Sequence, residues 1–389
     1  MPGKKAAPQE EKMMLGRPSN NVQIGLVGLP NVGKSSLFNL FGGLQVAAEN
    51  YPFCTIDPAK TTVNHPDPRF DHLVEFWKPK SVIPAVLQVT DIAGLVKGAA
   101  EGKGLGNAFL SNIQAVDAIY HVARAFVDKD IEHVEGDVNP VRDFEIIRGE
   151  LLAKDLEWAE KFAEAHAKKM RAKATKEDTE KKATLDKIVE YLKEGKEIRF
   201  GDWKNAEIPY VSSMNFLTAK PVVFLVNITK TNFKKQQNKW FKDIKAWVTA
   251  NCAGDPIIPF SATFEQEYAA LETPEAKKAF TDEHKVPSMM PKIIKEGYKC
   301  LKLISFFTTG EDEVRAWTIR AGTKAPQAAG TIHGEMEKCF ICAMCYNYTH
   351  FKECGSEKEA QAAGHYREQG KTYVVQDGDI LFIKHNAKK

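Results

Sequence analysis

The segment Gly28–Ser35 constrains the fold of this chain more than any other. It reads Gly-Leu-Pro-Asn-Val-Gly-Lys-Ser and fits the pattern G-x-x-x-x-G-K-[ST]. The apolar run Val22–Gly28 comes before it and the amphipathic stretch Ser35–Phe41 follows, which predicts a strand, a tight loop and a helix in that order. This unit is typical of a mainly parallel sheet covered by helices, the α/β fold of P-loop NTPases.

The residues of this loop have the chemistry of a phosphate site. The glycines let the loop curl so that backbone N–H groups point at phosphate oxygens, and the helix N-terminus adds its positive end. Lys34 supplies charge for the β- and γ-phosphates and is predicted to act in catalysis, while the Ser35 hydroxyl is suited to ligate Mg²⁺. The predicted nucleotide contacts here are Asn31, Val32, Gly33, Lys34, Ser35 and Ser36.

A second motif supports a nucleotide site. Asp91-Ile92-Ala93-Gly94 ends a predicted strand. In P-loop hydrolases the aspartate of D-x-x-G holds Mg²⁺, here through a water molecule, and the N–H of the glycine, Gly94, contacts the γ-phosphate. The pattern alone is typical of any turn at a strand end, but at this distance after a P-loop it indicates a Mg²⁺–nucleotide site.

The rest of the chain divides into zones of different character. Further strands are predicted at 85–90, 118–122, 221–226 and 257–260, with a helix at 233–250. Between residues 143 and 200 Gly and Pro nearly vanish, and two apolar faces at helical spacing predict an inserted arm, an αα-hairpin. Its charge run, Lys173–Lys182, is interpreted either as a solvated face or as a basic docking surface.

The C-terminal zone reads as a small α+β domain. A helix is predicted at 288–302, and short β-like runs follow at 304–308, 314–319, 340–346, 373–375 and 380–383. Basic side chains alternate with aromatic ones here, which is compatible with RNA contact or with an ordinary solvated surface. The residues are Arg315, Trp317, Arg320, Lys324, His365, Tyr366, Arg367, Lys371 and Tyr373.

Composition excludes several classes of protein. The formal charge of +3 over 389 residues does not by itself indicate nucleic-acid binding. No apolar run is long enough for a signal peptide or a membrane span, and seven cysteines, an odd number, argue against a disulfide framework. We therefore expect a cytoplasmic, mostly monomeric protein without membrane contact, whose residues 1–20 form a disordered tail.

These motifs, with several longer phrases, resemble the YchF, or Obg-like ATPase, family, a branch of the Obg-related P-loop NTPases. The resemblance runs from about Val22 to the end of the chain. It rests on the P-loop and on Asn50–Pro58, Asp91–Ala99, Gly104–Asn107, His133–Gly136 and Arg315–Ile319. It implies an Obg-type G domain over 21–303, interrupted by the helical arm at 143–200, and a C-terminal TGS domain over 304–387.

The resemblance also implies further site residues. Thr55 becomes a second Mg²⁺ ligand, although alone it would be interpreted as a turn residue. Asn31 becomes a ligand of K⁺. A Ras-like enzyme has Gln after D-x-x-G to orient the attacking water, whereas Leu95 can neither donate nor accept a hydrogen bond. Intrinsic turnover should then be slow, and His133 is the residue proposed to act on the water; the alternative is an exposed loop histidine.

The base-recognition motif departs from that of GTPases. After the strand at 221–226, Asn227-Ile228-Thr229-Lys230 replaces N-K-x-D. An ammonium has donors only, so Lys230 cannot accept from guanine, and the family usually has Glu at this position. We expect ATP to be preferred over GTP. A backbone carbonyl near Ile228 would accept from the adenine amino group, and Ser261-Ala262 would form the last base-contacting loop.

Three functions fit these features. The first is a slow, Mg²⁺-dependent ATPase switch that associates with the ribosome, the large subunit in particular, and with RNA through its arm and TGS domain, as the resemblance implies. The second is a GTPase of ribosome assembly, against which Lys230 argues. The third is a nucleotide-stabilised ribosome- or RNA-binding scaffold with negligible turnover.

Overall fold

The computed structural model describes residues 15–16, 22–44, 60–92, 105–172 and 175–386, with only the backbone at 105–108 and 172. The described residues fall into two compact units. The helical unit lies mainly within Val96–Asp117 and Glu145–Pro221, and the sheet unit lies within Ser19–Leu95, Ala118–Phe144 and Val222–Lys389. The helices of the described residues include none that is long and apolar enough to cross a membrane.

The described chain forms twelve strands and fifteen α-helices. The strands are β1 Gln23–Val27, β2 Lys60–Asn64, β3 Ser81–Ile83, β4 Val86–Asp91, β5 Ala118–Arg124, β6 Val222–Asn227, β7 Ile257–Phe260, β8 Leu303–Thr308, β9 Glu313–Arg320, β10 Phe340–Asn347, β11 Arg367–Gln369 and β12 Asp379–His385. The helices are α1 Lys34–Gly43, α2 Pro68–Trp77, α3 Leu105–Ala115, α4 Pro140–Ala172, α5 Lys176–Lys193, α6 Ile208–Ser213, α7 Lys230–Lys235, α8 Phe241–Asn251, α9 Ala262–Ala269, α10 Pro274–His284, α11 Met290–Cys300, α12 Ala325–Ile332, α13 Gly334–Lys338, α14 Tyr348–Cys354 and α15 Glu357–Ala362.

The first sheet confirms the predicted α/β fold. Its strand order is β2-β4-β1-β5-β6-β7, and all neighbours are parallel except β2, which runs antiparallel to β4. Every residue of β5 is buried, as expected for a strand covered on both faces. The carboxyl ends of the parallel strands meet at one edge of the sheet, which is where ligands bind in open α/β folds.

Two predicted elements are wrong in detail. The helix expected at 233–250 is two helices, α7 and α8. Gln236 ends α7 with a left-handed φ of 52°, and the Asn238 side chain caps the next turn by accepting from the N–H of Trp240. The strand expected at 373–375 is a single bridge between Val374 and Lys324. The apolar residues keep their spacing in both segments, so the sequence pattern alone showed neither the break between α7 and α8 nor the shortness of the pairing at Val374.

The second sheet forms the C-terminal domain, in the order β11-β10-β12-β8-β9-β3. Its last strand, β3, comes from the segment that precedes β4 and pairs parallel to β9. Helix α2, just before β3, buries Phe70 and Leu73 against Phe307 and Phe351 in the core of this domain. The predicted boundary between residues 303 and 304 assigns only the C-terminal part of the chain to this domain. The domain also includes α2 and β3, within residues 68–83.

The helical unit confirms the predicted αα-hairpin. Helices α4 and α5 are joined by a short connection, and α5 begins with a capping box in which Thr175 and Asp178 bond reciprocally. The two helices share an apolar core that includes Ala159, Leu185 and Ile188. Buried Asp155 of α4 accepts the backbone N–H groups of Leu217 and Thr218, at 2.8 and 2.7 Å, and ties a later turn to this core.

Candidate functional site: the P-loop edge of the sheet

Close packing requires both glycines of the P-loop. A Cβ added to Gly28 would lie 2.4 Å from the carbonyl oxygen of Val122 on β5. A Cβ added to Gly33 would lie 2.4 Å from the side-chain nitrogen of Asn227, and Gly33 has a left-handed φ of 101°. A β-carbon fits at neither position without displacing the backbone or Asn227. The loop thus takes its shape from β5 and from the end of β6 as well as from its own sequence.

Lys34 and Asp91 form the charged centre of this edge. Lys34, the first residue of α1, is buried, and its ammonium donates to the carbonyls of Gly28 and Leu29 at 3.0 and 2.7 Å. Burial lowers the pKa of Lys34 to about 8, although the nearby Asp91 carboxylate acts in the opposite direction. Burial likewise raises the pKa of Asp91 at the end of β4, and Lys34 opposes that rise.

The donor atoms at this edge fit a hydrated Mg²⁺ ion. The Oδ1 atom of Asp91 is buried and has no hydrogen-bond partner among the described residues, so a metal-bound water would satisfy it. Ser35 is exposed in the first turn of α1 and carries a hydroxyl oxygen, a ligand type that Mg²⁺ accepts. Ser36 is half-buried in the same turn of α1, and Val32 is buried in the loop before it. Two predicted contacts, Thr55 and Gly94, lie outside the described residues.

The loop that carries His133 lies against the P-loop. The side-chain amide of Asn31 donates to the carbonyl of Glu132 at 3.2 Å. Arg124, buried at the end of β5, donates to the carbonyl of Ile131 at 3.1 Å and to that of Asn31 at 3.5 Å. The loop that follows β5 is thus joined to the P-loop by direct hydrogen bonds.

His133 itself is buried, so the alternative of an exposed loop histidine is wrong. Its Nε2 lies 3.1 Å from Oδ2 of Asp143, in the first turn of α4, and its Nδ1 accepts the backbone N–H of Glu135 at 3.2 Å. Sequence reasoning missed Asp143, because nothing in the pattern distinguishes it from any acidic residue at the start of a helix.

The base-recognition segments converge on Asn227. Its side chain is buried, donates to the carbonyl of Val32 at 3.1 Å and accepts the backbone N–H of Ala262 at 3.2 Å. Ser261 is fully buried and caps α9, its hydroxyl accepting from the N–H of Phe264. One amide therefore connects the P-loop with the Ser261-Ala262 loop. Ile228 follows it, buried, with its N–H bonded to the carbonyl of Phe260 at 2.9 Å.

Lys230, at the position of the GTPase carboxylate, is paired within the protein. Its ammonium bonds to the carboxylate of Glu267 on α9 and lies 5.3 Å from the centre of the Phe280 ring. Glu267 is a second residue that the sequence did not single out. It is 37 positions from Lys230 and belongs to no motif.

Comparison with known proteins identifies relatives along the whole chain. A family model for YchF-GTPase_C, described as a protein of unknown function, matches residues 303–386, and one described as a 50S ribosome-binding GTPase matches residues 23–148. Obg-like ATPase 1 of Oryza sativa subsp. japonica is 50% identical over 384 residues, covering 99% of this chain and 97% of the relative. Obg-like ATPase 1 of Homo sapiens is 48% identical over 376 residues, covering 96% and 95%.

A solved structure agrees with these matches. The structure of the Schizosaccharomyces pombe YchF GTPase superimposes with a TM-score of 0.88 at 47% identity, covering 96% of this chain and 100% of that chain. Both the P-loop edge of the sheet and the C-terminal domain therefore have counterparts in one known protein. The chain belongs to the Obg-like ATPase, or YchF, family and is a P-loop nucleoside triphosphate hydrolase.

Proposed function

We propose that this protein is a slow, Mg²⁺-dependent ATPase whose nucleotide state controls its binding to the ribosome. The observation that carries the ATP assignment is the ion pair of Lys230 with Glu267. Guanine offers donors at N1 and at its 2-amino group, and a GTPase meets them with a carboxylate. Here Lys230, a hydrogen-bond donor, stands at that position, and it neutralises the nearby carboxylate of Glu267.

Adenine has different needs. Its 6-amino group requires one acceptor. A backbone carbonyl near Ile228 would be such an acceptor, and it is uncharged. Guanine bound in the same place would leave its donors unpaired, and each such loss costs about 1–3 kcal/mol. ATP is therefore favoured, in agreement with the word ATPase in the names of the relatives.

Chemistry at the phosphates is assigned to the P-loop edge. Lys34 would neutralise the β- and γ-phosphates, while Ser35, Thr55 and, through a water molecule, Asp91 would hold Mg²⁺, which would offset the negative charge of the phosphates. The amide nitrogen of Asn31 is engaged by Glu132, so its amide oxygen is the atom suited to ligate K⁺. Turnover is slow because Leu95 replaces the glutamine that orients water, and His133 takes that role.

Competition binding tests the base preference directly. A fluorescent, non-hydrolysable ATP analogue is displaced by unlabelled ATP or GTP in the presence of Mg²⁺. We expect GTP to need about a tenfold higher concentration, the equivalent of one unpaired buried donor. A clear preference for GTP would contradict the assignment, and displacement by ADP and GDP gives the matched comparison without the γ-phosphate.

The second candidate is a GTPase acting on the large ribosomal subunit, favoured by the description of the model that matches residues 23–148. A scaffold with negligible turnover is the third. We assign ribosome or RNA contact to the helical unit and to the C-terminal domain, predicted to be of the TGS type. Single-turnover phosphate release from ATP and from GTP, with and without purified large subunits, separates the three. The ATPase switch hydrolyses ATP faster than GTP and changes its rate on binding, the GTPase hydrolyses GTP faster than ATP, and the scaffold hydrolyses neither.

A further inference from the structure

Both ring nitrogens of His133 are used inside the protein. Nδ1 accepts the backbone N–H of Glu135 at 3.2 Å, so the proton of the neutral ring lies on Nε2. That proton is donated to Oδ2 of Asp143 at 3.1 Å. The side chains of His133 and Asp143 are each only 2% exposed. In this orientation the ring has no free nitrogen to offer a water molecule.

The backbone of the same loop is nevertheless close to the nucleotide site. Asn31 of the P-loop donates to the carbonyl of Glu132, the residue next to His133, at 3.2 Å. A rotation of the side chain, together with a small shift of residues 133–135, is therefore the movement that would present the ring at the P-loop. The rotation breaks the bonds of the ring with Asp143 and with the N–H of Glu135, and of these the bond with Asp143 is the one that ties the ring to a helix.

Asp143 depends on His133 for most of its hydrogen bonding. Its Oδ1 is buried without a hydrogen-bond partner among the described residues, and the nearest cation, Nη2 of Arg142, lies 3.8 Å away. A buried carboxylate that lacks partners is costly, so the remaining bond to His133 is strong. If the His133 ring rotates away, the carboxylate of Asp143 and Nε2 of His133 each lose their hydrogen-bond partner.

We propose that Asp143 is a positioning residue that holds His133 in an inactive orientation, and that this contact limits the basal rate of hydrolysis. The inference rests on the proposed role of His133 in orienting the attacking water. When only a small fraction of molecules has the ring released, the observed rate is that fraction of the rate of the released form. Weakening the contact raises the rate, whereas loss of an ordinary structural carboxylate would lower it or leave it unchanged.

The test uses the full-length protein with Asp143→Ala and Asp143→Asn. The asparagine side chain has the shape of the aspartate and keeps a neutral acceptor. If the alanine variant does not fold, the asparagine variant still tests the proposal. Single-turnover phosphate release from Mg²⁺–ATP should rise about tenfold for the alanine variant and about threefold for the asparagine variant, with unchanged ATP affinity. Carbethoxylation of His133 by diethyl pyrocarbonate, read by peptide mass spectrometry, should increase in the same order.

Three further variants complete the design. His133→Ala should slow the wild-type protein, and the double variant His133→Ala/Asp143→Ala should be equally slow. Asp130→Ala, which removes another exposed carboxylate of the same loop, should change neither the rate nor the reactivity.

The outcomes separate the two hypotheses. If His133 becomes no more reactive and the rate does not rise in either Asp143 variant, Asp143 does not hold the ring and the inference is wrong. If His133 becomes reactive but the rate is unchanged, and His133→Ala alone has no effect, the proposed role of His133 is wrong and the inference fails with it.

Discussion

The two ends of the proposed nucleotide site are built in different ways. The phosphate end, Gly28–Ser35 with Asp91, is shaped by backbone geometry, since a β-carbon at Gly28 or Gly33 would lie 2.4 Å from neighbouring atoms. The base end, Asn227–Lys230 with Ser261, Ala262 and Glu267, is shaped by side-chain bonds between distant segments. The phosphate end therefore tolerates few substitutions, whereas the base end can change its partner residues and with them its preference.

The strongest test of this contrast is Lys34→Ala at the phosphate end. It removes the one buried cation of this motif, to which we assign the neutralisation of the phosphates, and we expect single-turnover hydrolysis to fall by about a hundredfold or more. Phosphate release from labelled ATP measures it. Lys242→Ala, an exposed lysine on α8, is the matched control and should behave as the wild type. Unchanged turnover in the Lys34 variant would contradict the whole assignment of the site.

Asn227→Ala tests the connection between the two ends. The variant loses the bonds to Val32 and Ala262 and leaves a buried carbonyl and N–H unpaired, which should cost about 2 kcal/mol of stability. We expect nucleotide affinity to fall by about thirtyfold for ATP and GTP alike, because both loops lose their anchor. Asn251→Ala, whose side-chain amide bonds within its own helix, should alter neither property. If the affinity fell for only one of the two nucleotides, Asn227 would contribute to base selectivity and not only to joining the two loops.

The pH dependence of binding reports on Lys34. Burial lowers the pKa of Lys34 to about 8 in the free protein, so the ammonium loses its proton at a lower pH than an exposed lysine does. A triphosphate requires the charged form, and affinity should therefore decrease as pH rises. With this pKa the charged fraction falls roughly eightfold between pH 7.5 and pH 9. Equilibrium titration with a non-hydrolysable ATP analogue measures this, and Lys34→Ala should give a flat profile.

The smallest expected effect is at the base end. Lys230→Asp places the carboxylate of N-K-x-D where guanine needs an acceptor and breaks the pair with Glu267, so the preference for ATP over GTP should fall by about fivefold. Glu267→Gln replaces the carboxylate by a neutral amide and keeps Lys230. The preference for ATP over GTP should therefore change less than in the Lys230 variant. The exchanged pair Lys230→Asp/Glu267→Lys keeps the ion pair while moving the carboxylate. Equal ATP preference in all three variants would show that the pair does not select the base.

Particular residues show how far sequence reasoning reached. The strand, loop and helix around Gly28–Ser35 were predicted because a P-loop is a local structure whose glycines and lysine must lie at set intervals. The strand at 118–122 was predicted because its residues are mostly apolar, as in strands buried on both faces, and β5 continues it through the buried residues Ala123 and Arg124. Continuous helical spacing, in contrast, hid the break at Gln236, since a single left-handed residue does not disturb an apolar pattern.

By itself, then, the sequence determined the P-loop, the parallel sheet behind it, the inserted helical arm and the family. Each of these depends on periodicity or on residues that are neighbours along the chain. Only the tertiary structure decided that His133 is buried against Asp143, that Lys230 pairs with Glu267, and that β3 completes the C-terminal sheet. Those contacts join residues of separate elements, and their partners are ordinary charged or apolar side chains until folding brings them together.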